Sequence, residues 1–160
     1  MGQQQLLLVI LVTIIVGIAT VVAINTFGTA ADQANIDAVN NDIATLASAA
    51  QGHYMRPEML GGGGRTFTAL TFEGLAFPST GITADMLTAQ NENGRYTIAN
   101  PTASAFTITA DPSSCEAYVP GDVDGDGLLT GGTPCAAANQ ITANVTQNSF
   151  ELSPDVEPEP

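Results

Sequence analysis

Residues 6–24, LLLVILVTIIVGIATVVAI, carry no charge, and only Thr13, Gly17 and Thr20 soften the apolar run. At about 1.5 Å of rise per residue, some 20 such residues in a helix cross the hydrocarbon core of a bilayer. The pattern then narrows without stopping. Ile36, Val39, Ile43, Leu46 and Ala50 recur at spacings of three and four, with Asp37, Asn40, Asn41 and Asp42 between them. That periodicity is one apolar stripe on a helix. The two stretches together predict a single rod over residues 1–52, apolar all round in its first half and striped in its second. Arg56-Pro57 sets its end near Gly52. Gly17 and Gly28 are its weak points, each costing about 1 kcal/mol against Ala in a helix interior. They fit either close packing through small residues or a local unwinding site.

Beyond the rod the apolar positions become short and alternating. Residues 53–65, HYMRPEMLGGGGR, read as a connection in which Gly61 to Gly64 form a flexible turn. A phosphate-cradling loop needs a Lys or Ser/Thr pattern and a following helix, and neither is present. His53, the one histidine, is read as a surface residue at the helix end. Residues 66–72 alternate and predict a short strand, and residues 83–87 predict one helical turn capped by Thr83. The clearest β signal is Arg95–Ala99, a turn at Asn100-Pro101-Thr102, and Ala105–Ala110. A last strand is placed at 141–145 or 149–152. The fold class is therefore α+β, a long N-terminal helix packed on a three- or four-stranded antiparallel sheet. Residues 53–152 form the head, and 153–160 a loosely held acidic, Pro-rich tail.

Charge narrows the function classes. The chain has a formal net charge of -13, no lysine, and three cations, Arg56, Arg65 and Arg95. Such a surface repels phosphate backbones, so no nucleic-acid partner is expected. No Ser/His/Asp set, Cys–His pair or haem-attachment motif accompanies it, so an enzyme is not expected. Asn144-Val145-Thr146 matches the glycosylation acceptor pattern, which arises often by chance.

Cys115 and Cys135 are the two cysteines. An even count in sequence that follows an apolar anchor points to one disulfide outside the cytoplasm. It closes a Gly- and Pro-rich loop of roughly 20 residues and stabilises by about 3 kcal/mol in the chain-entropy model. Inside that loop, Asp122, Asp124 and Asp126 alternate and Gly127 follows. This is the first half of an EF-hand-type calcium loop, with the Leu128 carbonyl, Thr130 and Thr133 at the later ligand positions. Leu129 would anchor the loop in the core. Thr133 stands where a bidentate Glu is usual, so Glu116 is a further donor to consider. The alternative reading is an acidic, solvated turn. Bound Ca2+ would hold the loop rather than catalyse.

The order of these parts resembles a type IV pilin or the related pseudopilins of type II secretion. The segments that carry the likeness are residues 6–24, the stripe at 36–50, the strand phrase Ala105-Phe-Thr-Ile-Thr-Ala-Asp-Pro112, and Cys115 with Cys135. The resemblance implies a structural subunit that polymerises through its N-terminal helix into an extracellular filament at the surface of a prokaryote. Its precursor would be anchored in the inner membrane and served by pilus or secretion assembly machinery. The filament core would then comprise Gln5, Leu6, Leu7, Leu8, Ile10, Leu11, Ile14, Ile15, Ile18, Val21 and Val22. The family usually carries Glu at the fifth mature position, thought to pair with a neighbour's terminal amine. With Met1 as first residue this chain has Gln5, which can hydrogen-bond but carries no charge. The alternatives are a secretion pseudopilin and a monomeric, membrane-anchored calcium-binding module.

Overall fold

The computed structural model describes residues 2–153. Of the tail expected at 153–160, all but Ser153 lies outside the described residues. Helix α1 runs unbroken from Gly2–Met55, three residues past the expected end and through both Gly17 and Gly28. No local unwinding occurs at either glycine, and neither has another atom packed where a side chain would begin. Thr13, Thr20, Thr26 and Thr29 each donate their hydroxyl to a carbonyl one turn back, at 2.8–3.1 Å. These hydroxyls are satisfied within the helix itself, so they leave the surrounding surface apolar.

The head is a six-stranded antiparallel sheet with α1 on one face, an α+β architecture. Its strands are β1 (Gly81–Ile82), β2 (Thr88–Gln90), β3 (Gly94–Ala99), β4 (Ala105–Pro112), β7 (Ile141–Thr146) and β8 (Phe150–Leu152), in the order β1-β2-β3-β4-β7-β8. The sheet is wider than the three or four strands expected, because β1 and β2 add a hairpin at one edge and both candidate final strands form and pair with each other at the other. Alternation decides which side chains face the helix. Tyr96 and Ile98 on β3, Phe106, Ile108 and Ala110 on β4, and Ile141, Ala143 and Val145 on β7 are all buried. They meet Ile36, Val39, Ile43, Leu46, Ala47 and Ala50 of α1 in one core. Ile98, Ile108 and Ala143 lie in one cross-strand row.

Two local expectations are corrected. Residues 66–72 are not a strand. Phe67, Leu70 and Phe72 are buried, but they plug the core from an irregular segment that leads into a short helix, α2 (Phe72–Leu75), capped by the Thr71 hydroxyl. Phe67 sits between Tyr54 and Phe106, with ring centroids 4.8 and 5.1 Å away. Residues 83–87 are not a helical turn. They form the turn of the β1–β2 hairpin, where the Thr83 amide donates to the Thr88 carbonyl and Met86 takes a φ of 59°.

The glycine run is ordered. The amides of Gly63, Gly64 and Arg65 donate to the carbonyls of His53, Arg56 and Tyr54 at 2.8, 3.1 and 3.0 Å. They cap carbonyls that a helix end leaves without partners. A side chain at Gly62 or Gly63 would collide with backbone carbonyls 2.2 Å away. His53 is also buried, only 8% exposed, rather than a surface residue. It is enclosed by Gly63 on one side and Gly74 of α2 on the other.

Candidate functional site

Two regions carry the functional expectations. The first is the N-terminal half of α1, which is not buried against any other of the described residues. Gln5, Leu6, Leu7, Leu8, Ile10, Leu11, Ile14, Ile15, Ile18, Val21 and Val22 are all exposed, the large aliphatics by 50–69%. The segment is long and apolar enough to cross a membrane, and no part of it is buried. A helix that is apolar around its whole circumference is stable only where apolar matter surrounds it. Gln3, Gln4 and Gln5 extend the same helix with exposed amide side chains.

The second region is the loop closed by the Cys115–Cys135 disulfide, which the structure contains, with Cα atoms 6.2 Å apart. The loop lies over the sheet face opposite α1. Gln90 holds it by accepting from the Gly121 amide at 2.8 Å and donating to the Gly121 carbonyl at 3.3 Å. Arg95 donates to the Gly131 carbonyl at 3.0 Å. Buried Asp111 accepts from the Cys135 amide at 3.1 Å and from Gln140 at 2.8 Å. Gln90 and Asp111 are thus buried polar groups with partners, as burial requires.

The expected calcium loop takes the form of a β-hairpin, β5 (Asp122–Val123) with β6 (Leu129–Thr130). Gly127 makes the turn with a φ of 82°, and Leu129 is buried as an anchor. Asp122, Asp124 and Asp126 are exposed. The Leu128 carbonyl accepts from the Asp124 amide at 3.0 Å, and Asp126 accepts from the Leu128 amide at 3.1 Å. Thr130 lies opposite Asp122, and Thr133 pairs with Val119. Among the described residues, no three carboxylate, histidine or cysteine side chains gather into a group that could hold a metal.

A polar anchor between helix and sheet carried no sequence signal of its own. One oxygen of Asp42, Oδ2, accepts from Asn91 at 2.9 Å, Asn93 at 2.8 Å and the Tyr96 hydroxyl at 2.7 Å. It fixes the turn ahead of β3 on the flank of the α1 stripe. Burial pushes the Tyr96 hydroxyl far above its usual range, and the Asp42 carboxylate adds to this. At the other end of the head, burial holds His53 below its ordinary value near 6.5, with the Arg56 charge adding to the effect. Its Nδ1 is buried without a partner. The only hint of either role was position, since Asp42 borders the stripe and His53 extends it by three residues.

A scan against protein-family models finds no match, and searches of curated proteins and of solved structures likewise return none. The long apolar helix, the antiparallel sheet and the disulfide are compatible with a pilin-like fold.

Proposed function

We propose that this protein is the structural subunit of an extracellular, type IV pilus-like filament, anchored in a membrane by α1 before it polymerises. One observation carries the reading. The apolar first half of α1 is bare and continues without a break into a folded head. Lipid can cover that surface, and so can the same segment of other copies. Exchange of lipid contacts for helix packing gives a polymer with the heads outside. Gln3, Gln4 and Gln5 then hydrogen-bond within the bundle, where an unpaired polar group would be costly.

The test is electron microscopy of material sheared from cells making the protein, with mass spectrometry of the same fraction. Thin filaments composed mainly of this chain are the expected result. Recovery only in membranes would favour a secretion pseudopilin or an anchored monomer. The spacing of Asp122, Asp124 and Asp126 further supports a structural Ca2+ in the hairpin, which would have to draw the three carboxylates together. Calcium is then expected to raise the melting temperature of the wild-type protein but not of Asp124→Ala. Equal melting of both proteins with and without calcium would remove the metal.

A further inference from the structure

Helix α1 gives the head a polarity, because polar contacts tie it to the sheet domain near both ends of its buried stripe. At the lower level, nearer the apolar half, Asn35 donates to the Asn93 carbonyl and to Ser113 at 3.0 Å and accepts from the Ser114 amide at 3.2 Å. At the upper level, Gln51 donates to the Thr146 carbonyl at 3.2 Å and Tyr54 donates to Gln147 at 2.7 Å. Roughly 25 Å of helix separates the two.

Charge is divided between these poles. Of the three cations, Arg95 is committed to the Gly131 carbonyl under the disulfide loop. The other two, Arg56 and Arg65, are exposed at the upper pole. Around them lie Met55, Met59 and Leu60, exposed by 71%, 97% and 71%. Glu58 is the acid among them. Glu73 lies on the flank, where it lines a shallow cleft with Asp126. The lower pole carries only acids at its corresponding positions: Asp32 and Asp37 on α1, Glu92 in the turn before β3, and Glu116 beside Cys115.

We propose that the upper pole of one head docks on the lower pole of a second copy, with Arg56 and Arg65 facing Asp37, Glu92 and Glu116 and with Met59 and Leu60 buried at the contact. This rests on the filament reading above. A chain of charge -13 repels its own copies. Top-to-bottom contact between parallel copies sets the two exposed cations of one head against the acids of the next. Such a contact uses two different surfaces, so between parallel copies it does not close and extends as a filament. Electrostatic matching of this kind selects partner and register.

The experiment compares sheared filaments from cells making the wild-type chain, Arg56→Glu/Arg65→Glu, and that double variant combined with Asp37→Arg/Glu92→Arg. Inversion of the upper pole is expected to lower filament yield about tenfold, and the combined swap to restore it. A photo-crosslinking residue at Met59 in wild-type filaments is expected to capture residues 32–37, 92 or 113–116 of a second copy. Wild-type filaments matched in yield and salt resistance by the double variant would overturn the contact alone. So would crosslinks to lipid, to another protein or to a different surface of the chain. No filaments from the wild type would overturn the filament reading and the contact with it. Circular dichroism of the variants separates lost docking from lost folding.

Discussion

The two halves of α1 share one continuous helix and nearly the same appetite for apolar surroundings, yet they meet opposite fates. From Ile36 onward, a stripe of Ile, Val, Leu and Ala is buried against the chain's own sheet. From Leu6 to Ile24 every side chain is exposed. The distribution of hydrophobic residues around the axis, more than their number, distinguishes the halves. A stripe can be covered by one neighbour, and the sheet supplies it. A full circumference needs several neighbours, which this chain alone does not contain.

The largest effect expected from that contrast is at Ile14. Ile14→Asp places a charge in a segment that must be wrapped in apolar matter, so filaments should vanish from sheared fractions. The head's thermal unfolding should remain unchanged, because Ile14 touches none of it. A shifted melting temperature would mean the halves are not independent. Next comes Ile43→Ala, which empties a fully buried position in the core between helix and sheet. A loss of about 2–5 kcal/mol in chemical denaturation is expected, with the apolar half still inserting in membranes. Asp42→Ala should cost about 2 kcal/mol, since three donors lose one charged acceptor. Protection of the Asn91–Gly94 amides from hydrogen exchange would fall with it, and unchanged protection would count against the anchor.

The smallest effect concerns pH. His53 has its folded-state value depressed by burial and by Arg56, so the unfolded chain binds the proton more readily. Stability is therefore full above about pH 6.5, falls as the pH drops below that value, and levels off below the folded-state value. His53→Leu should flatten the dependence over this window. A wild-type melting temperature that is flat between pH 7.5 and 5 would contradict the buried, unpartnered imidazole.

What could be read from the sequence was what repeats. The rod, the Arg95–Ala110 hairpin and the paired cysteines each announce themselves by period or count. The segment at 66–72 misled because Thr66, Thr68 and Thr71 interleave with apolar residues as in a strand, whereas Phe67, Leu70 and Phe72 are all buried from an irregular segment. The turn at 83–87 misled because Met86 adopts a left-handed conformation that nothing about methionine signals. The anchoring groups were hidden for a different reason. Asp42, Gln90 and Asp111 act on partners 24–54 residues away, and a polar residue's worth is set by a partner that only the fold brings near. The acidic hairpin shows the converse, because the Gly127 turn and the buried Leu129 anchor were both legible in its spacing.

The unbroken path of α1 through residues 24–36 is also an angular gauge. Each residue of a helix turns the chain by about 100° and advances it about 1.5 Å. The phase between the apolar half and the head is therefore written in the number of residues joining them, of which residues 25–31 are all exposed. One residue inserted beside Gly28 would leave both halves individually intact and swing every head about a quarter turn around its own stem. A polymer built from such subunits would inherit its twist from a count.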